Sequence, residues 1–277
     1  MTQGKRLIVK KDNALVTAAY TLGLVEQRLV LLAAATAKDN CDPLSGITLR
    51  AEQYADAYKV TAQTAYEALK EACETLFERR ITLYQADKKT VTRWVSFVTY
   101  KEGEGAVELG FSPVVVPLFN NLKERFTVYA LEQIAGLTSA HAVRLYELLI
   151  QWRSVGKTPV FEIAKFREIL GIQPEEYKRM TDFKKRVLDA AIKQVNRFTD
   201  IKTAYEQHKQ GRSITGFSFS FITKKTDFKA VPANNFGADG KRNRQHITKN
   251  QAAKMARPGE NYQELYKRLS TNYVIGE

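Results

Sequence analysis

The same succession of elements can be read twice along this chain, and that repetition constrains its fold more than any other feature. In the first copy an apolar helix runs from Leu22 to Ala37, followed by a short β-like run at Ile47-Thr48-Leu49. A helix over Ala51–Tyr58, a break at Lys59-Val60 and a long helix from Thr61 to about Glu78 come next. Strand-like runs follow at Ile81–Gln85, Val91–Tyr100 and Ala106–Phe111. In the second copy Ser139–Arg153 is the apolar helix, Thr158–Phe161 the short run and Ile163–Leu170 the next helix. A break from Gly171 to Met180 leads to a long helix over Thr181–Phe198, with Thr181 as its expected cap. Strands at Ile201–Tyr205 and Ile214–Ile222 close the copy around a turn at Gln210-Gly211. Helix, helix, hairpin is the order of a winged helix, whose last helix usually enters the DNA major groove. The expected class is therefore α+β, mainly helical, with tandem winged-helix domains.

A length of 277 residues suits about two domains. The expected division is an N-terminal winged helix in 1–117, for dimerisation and DNA contact, and a connector in 118–137. A C-terminal winged helix in 138–222 would carry the main DNA recognition, ahead of a basic, partly flexible tail in 223–277. Pro113 and Pro117 fit an extended connector that ends a strand. In the tail, Pro232–Arg244 has little apolar content. A short amphipathic helix is expected over Glu260–Leu269, its stripe of Tyr262, Leu265, Tyr266 and Leu269 docking on the body or on a partner.

Charge separates the copies. Residues 1–137 hold 17 Lys/Arg against 16 Asp/Glu, 138–222 hold 15 against 9, and 223–277 hold 11 against 5. Nearly all of the net +13 thus lies in the second half, which favours a polyanion through phosphate neutralisation.

The two long helices differ in the same sense. On the second, Phe183, Val187, Leu188, Ala190, Ala191, Val195 and Phe198 share one broad face. Lys185, Arg186, Asp189, Lys193 and Asn196 share the other, with Arg197 beyond them, Lys184 at the boundary and Arg179 just ahead of the helix. Arg and Lys can reach guanine O6 and N7, and backbone amides at a helix start face phosphate. Lys209 and Arg212 flank the turn of the following hairpin. On the first long helix Ala65, Leu69, Ala72, Cys73, Leu76 and Phe77 face inward, while Gln63, Thr64, Glu67, Ala68, Glu71 and Thr75 face out. That surface is neutral to acidic. Its nearby cations are Lys70, Arg79, Arg80, Lys88, Lys89 and Arg93, at the helix flank and in the candidate wing. The second copy is expected to carry more of the DNA affinity and the base readout, and the first to touch DNA with Gln63, Thr64 and its wing. Leu15, Leu22 and Leu29, spaced by seven, allow a short coiled-coil seam for dimerisation, but core burial is the better reading, because Gly23 interrupts so short a run.

Several motifs carry a resemblance that covers most of residues 8–222. They are Leu15-Val16-Thr17-Ala18-Ala19-Tyr20, Arg125-Phe126-Thr127, the run from Ala142 to Arg153, the run from Tyr177 to Arg186, and Gly216-Phe217-Ser218-Phe219. With these, the chain resembles the iteron-binding replication initiators of bacterial plasmids. The resemblance implies two winged-helix domains that bind repeated origin sites as monomers. It also implies dimers that repress their own gene, and recruitment of the host replication initiator and helicase. Arg179, Lys185 and Arg186 match the family's major-groove positions. Family members often carry Arg where Lys185 stands, and Lys lacks the bidentate fork.

Other classes are disfavoured. A rolling-circle nuclease needs Tyr and a His-bound metal, but His141, His208 and His246 are isolated and no His-x-His pair occurs. There is no Gly-Lys-Ser/Thr phosphate loop for an ATPase motor. No catalytic residue, cofactor, metal or small-molecule substrate is expected. A dimeric winged-helix repressor without an initiator role is the alternative that keeps the fold. The longest strongly apolar run, Leu29–Ala37, is far shorter than the ~20 residues a membrane span needs, and no signal-peptide block follows the N-terminal charges. Two isolated cysteines, Cys41 and Cys73, suit a reduced cytoplasm, where a DNA-bound protein would associate with plasmid or nucleoid.

Overall fold

The structure is a computed structural model, and it describes residues 6–37, 45–85, 87–119, 125–224, 245–248 and 273–276. The chain divides into two compact units, Met1–Pro232 and Ala233–Glu277. The first contains two winged helices. In the second, strands β11 (Gln245–Thr248) and β12 (Tyr273–Gly276) pair in parallel. The expectations for Pro232–Arg244 and Glu260–Leu269 fall outside the described residues.

The first winged helix starts with β1 (Ile8–Asp12) and the single turn α1 (Asn13–Val16). Helix α2 (Leu24–Thr36) is buried continuously from Leu29 to Ala34, as an all-round apolar helix must be. Strand β2 (Ile47–Arg50) leads into α3 (Ala51–Tyr58), which stops at Lys59 in the left-handed region, φ 55°. Thr61 then caps α4 (Ala62–Glu78), its hydroxyl accepting from Thr64 N at 3.3 Å. Ala65, Leu69, Ala72, Cys73 and Leu76 are its buried positions, at helical spacing. Burial of each leucine stabilises by about 1.5–3 kcal/mol.

The strands that follow α4 differ from expectation. The single run expected over Val91–Tyr100 is two strands. Trp94, fully buried, separates β4 (Lys88–Arg93) from β5 (Val95–Lys101). Strand β4 pairs only with β3 (Arg80–Gln85), whereas β5 joins β6 (Ala106–Phe111) in a sheet of order β2-β6-β5. The indole anchors the bend, and a register shift between Val95 and Phe97 absorbs it. A separate β3–β4 hairpin is therefore inserted between the long helix and the three-stranded sheet.

The stretch expected to be an extended connector makes a short 3-10 turn at Val116–Leu118 and then strand β7 (Phe126–Ala130). This strand pairs antiparallel with β1, Ile8 opposite Ala130 and Asp12 opposite Phe126. Its partner lies more than a hundred residues away and contains two lysines, so no local pattern announced the pair. After α5 (Glu132–Ala135), helix α6 (Ala140–Ile150) is buried from Ala142 through Ile150 without interruption.

The second winged helix continues with β8 (Phe161–Glu162) and α7 (Ile163–Ile169). Helix α8 spans residues 180–198 in three parts: α over Met180–Asp182, π over Phe183–Leu188 and α over Asp189–Phe198. Strands β9 (Ile201–Gln210) and β10 (Ser213–Thr223) turn at Gly211, φ +60°, in a sheet of order β8-β10-β9. Phe161, Phe166, Phe183, Phe217 and Phe219 form its aromatic core, with ring centroids 5.6–6.2 Å apart.

Leu15, Leu22 and Leu29 are all buried in the core, so their heptad spacing offers no exposed seam for dimerisation. Phe198 is expected inward but is 42% exposed; its ring lies against Gly136, where an added Cβ would stand 3.1 Å from it. Thr181 is not the cap of α8. The helix begins one residue earlier, and the Arg179 carbonyl accepts from Asp182 N and Phe183 N, both at 3.0 Å.

Candidate nucleic-acid interface

Helix α8 is held by its apolar row. Phe183, Val187, Leu188, Ala191 and Val195 are buried, and they turn Thr181, Lys185, Arg186, Asp189, Lys193 and Arg197 to the surface. The π stretch sharpens that division. The backbone N–H of Asp189 bonds to Lys184 O, five residues back. At ~100° per residue Lys185 and Arg197 would point about 120° apart; the looser winding of i→i+5 bonds narrows this to roughly 60–70°. The exposed cations thus form a tighter row than an unbroken α-helix would present.

Several side chains fix this helix against its wing. Lys184 Nζ donates to Gln207 Oε1 at 3.0 Å and lies 5.8 Å from the Tyr205 ring centre. The Tyr205 hydroxyl donates to Asp189 Oδ1 at 3.1 Å. Burial, and then the hydrogen bond to Asp189, push the Tyr205 phenol up to about 12, so it stays a donor throughout the physiological range. Asn196 is committed inward: its amide donates to Thr203 O at 2.9 Å and accepts from Thr203 N at 2.6 Å. Its role is to tie α8 to β9. Arg186 stands 3.9 Å from Asp182, an exposed i,i+4 pair of the kind that contributes under about 1 kcal/mol. Arg197 lies over the Phe198 ring at 5.0 Å. Arg179 is exposed ahead of the helix, and Lys209 and Arg212 are exposed beside Gly211 at the wing tip.

The first winged helix places its candidates differently. On α4, Gln63 Nε2 donates to Glu67 at 2.6 Å, and the Thr61 and Thr64 hydroxyls bond each other at 2.8 Å. Lys70 is 3.9 Å from Glu102. The turn joining β5 to β6 contains Glu102 and Glu104, so the wing of this three-stranded sheet is acidic. Lys88 and Lys89, expected in that wing, lie instead near the turn of the inserted β3–β4 hairpin. Arg79 pairs with Glu26 at 2.8 Å, and Arg93 with Glu78 at 2.9 Å. The Arg93 hydrogen bond holds the Glu78 carboxyl below its usual range. Arg93 also donates to Phe77 O at 2.6 Å, and Arg80 is exposed at the start of β3.

Among the described residues, no group of three or more His, Cys, Asp or Glu could hold a metal ion. His141 bonds Leu170 O at 3.2 Å and His208 bonds Ser218 Oγ at 2.8 Å. No described helix is long and apolar enough to cross a membrane.

The sequence signal that could have revealed the π turn is the five-residue spacing of two fully buried side chains, Phe183 and Leu188. Nothing local marked the inserted hairpin or the partners of Asn196.

Residues 8–150 match a family profile described as "Initiator Replication protein, WH1", and residues 162–221 match one described as "Initiator Rep protein, WH2". The chain is 25% identical over 267 residues to the PI protein of Escherichia coli, covering 82% of this chain and 87% of that one. It is also 25% identical over 218 residues to a replication initiation protein of Escherichia coli, covering 74% of this chain and 66% of the other. Among solved structures, the Pi initiator protein in complex with iteron DNA has the same fold. The TM-score is 0.68 at 22% identity, with 80% of this chain and all of that chain covered.

Proposed function

The chain belongs to the family of initiator replication proteins with two winged-helix domains, and from that premise we propose that it binds the tandem repeats of a plasmid origin, with its second winged helix supplying the base readout. The observation that carries this reading is the exposed row of Lys185, Arg186, Lys193 and Arg197 on α8, beside a wing tip bearing Lys209 and Arg212. Arg179, Lys185 and Arg186 reach base edges from the first turns of the helix, and the wing cations meet phosphate. Gln63 and Thr64 on α4 give the first winged helix a smaller share of the base contacts, and Arg80, Lys88 and Lys89 meet phosphate. The family is not one of known enzymes; opening of the origin follows from binding strain and from gathering the host replication initiator and helicase. As a dimer the protein represses its own promoter.

Footprinting on the repeats of the cognate plasmid origin tests the reading. Regular protection of each repeat at moderate salt is expected, and no protection contradicts it. Replication of an origin plasmid with the protein supplied in trans separates an initiator from a repressor that shares the fold.

A further inference from the structure

Arg144 is a residue of the α6 motif for which DNA contact has no use. It is 1% exposed, and its guanidinium touches both winged helices. Nη2 donates to Ala18 O and to Ile169 O, each at 2.9 Å, and Nε donates to Ile169 O at 3.0 Å. Nη1 donates to the Tyr20 hydroxyl, and the group lies 4.0 Å from the Tyr20 ring centre. Ala18 and Tyr20 precede α2 in the first winged helix; Ile169 ends α7 in the second.

The charge is balanced within the core. Glu147 lies 3.5 Å from Arg144, accepts from Lys11 at 2.8 Å and from the Tyr129 hydroxyl at 2.8 Å. Burial opposes ionisation of Glu147, yet Lys11 and Arg144 outweigh it and keep the carboxyl below its usual range. A buried ionic network of this kind seldom improves on apolar packing in stability. What it supplies is direction: few other arrangements of the two domains would satisfy every donor.

The contacts around Arg144 are equally specific. Thr21 Oγ1 donates to Gly171 O at 3.0 Å, and Gln173 Nε2 donates to Thr21 Oγ1 at 2.6 Å. Gly171 has φ +76°, and a Cβ there would stand 2.5 Å from Tyr20 O. On the inserted hairpin, the Tyr84 hydroxyl donates to Glu168 at 2.6 Å, and Lys165 Nζ lies 3.5 Å from the Tyr84 ring centre. Helix α7 passes this placement on. Arg167 donates to Glu176 O at 2.5 Å and Tyr177 O at 3.2 Å, and lies 5.2 Å from the Phe183 ring centre, at the start of α8.

We propose that this seam is a ruler, with Arg144 as its positioning residue: it fixes the distance and rotational phase at which α4 and α8 meet DNA, and so restricts binding to repeats of one internal spacing. The proposal rests on the DNA-binding reading above. A site lengthened by ~5 base pairs rotates its two halves about half a turn apart, beyond what a rigid pair of domains can follow.

The test uses the full chain and three variants, Thr21→Val, Gly171→Ala and Arg144→Lys. Thr21→Val is the mildest and keeps the test open should either of the others fail to fold. One readout is affinity for the cognate repeat lengthened by one to five base pairs at successive internal positions. The other is the distance distribution between spin labels at Thr75 and Glu206, exposed positions in the two winged helices. The unaltered seam should give one narrow distance and about a threefold to fivefold loss on the worst insertion, the most that the small base share of the first winged helix allows. The variants should broaden the distance and reduce that loss to within about 1.5-fold, while melting cooperatively. Folded variants that keep the narrow distance and the full spacing penalty overturn the proposal. If the unaltered protein binds no repeat at any spacing, the DNA reading fails, and the label distances alone still decide whether these residues hold the domains.

Discussion

The two winged helices of this chain share an element order and differ in almost everything their outer surfaces present. Helix α4 shows Glu67, Glu71 and Glu74 to solvent, and its sheet ends in a turn with Glu102 and Glu104. Helix α8 shows Lys185, Arg186, Lys193 and Arg197, and its sheet turns between Lys209 and Arg212. Cations near the first site, Arg79 and Arg93, are held by Glu26 and Glu78, whereas among the described residues those on α8 have only the loose Asp182 pair of Arg186 and the contact of Arg197 with the Phe198 ring. Duplicated topology therefore does not duplicate function. A recognition surface is set by what remains exposed and uncommitted after the core is packed.

The largest expected effect is on the second site. Removing Lys185 and Arg186 together should cost about 3 kcal/mol of specific DNA affinity, read by titration at fixed salt. The matching change at Gln63 and Thr64 should cost under about 1 kcal/mol, because neutral donors already engaged with Glu67 and Thr61 have little left to offer. Equal losses would abolish the contrast. Asn196→Ala should lower folding stability by about 2 kcal/mol in denaturant, since it orphans the buried Thr203 N–H. The salt dependence of DNA binding should stay unchanged, separating this structural residue from its basic neighbours.

The wings should differ next. Lys209→Ala with Arg212→Ala should reduce the slope of log affinity against log salt by about 2, one unit for each lost phosphate contact. Glu102→Gln with Glu104→Gln should leave that slope unchanged. The smallest effect belongs to the acidic face of α4: neutralising Glu67 and Glu71 should raise affinity by roughly 0.5 kcal/mol at low salt and by nothing measurable at high salt.

How far this was legible in the sequence depended on the range of the interactions. Helices α3, α4 and α7 and strand β6 follow from local periodicity and caps, and their bounds came within a residue of expectation. The charge contrast is a property of composition and survived folding. Strands β1 and β7 were missed because each is short, and the pair exists only across a long stretch of chain. The bend at Trp94 looked like one strand because Trp favours strands and does not interrupt a β pattern. At the candidate site, Lys185 and Arg186 were visible on a helical wheel. Asn196 was not distinguishable from them, since its partners lie on β9. Phe198 shares the face of Ala191 and Val195 but is the last residue of the helix, where its ring packs on Gly136 and stays part exposed.

Methylation interference at guanine N7 across one origin repeat tests most directly whether the guanine readout belongs to the second winged helix. Binding by the unaltered protein should be blocked by methylation at a small set of major-groove guanines. Arg186→Ala should lose interference at one of them and keep the others, while Gln63→Ala with Thr64→Ala should leave the pattern unchanged. Interference that persists at every guanine without Arg186, or vanishes when Gln63 and Thr64 are removed, would contradict the account.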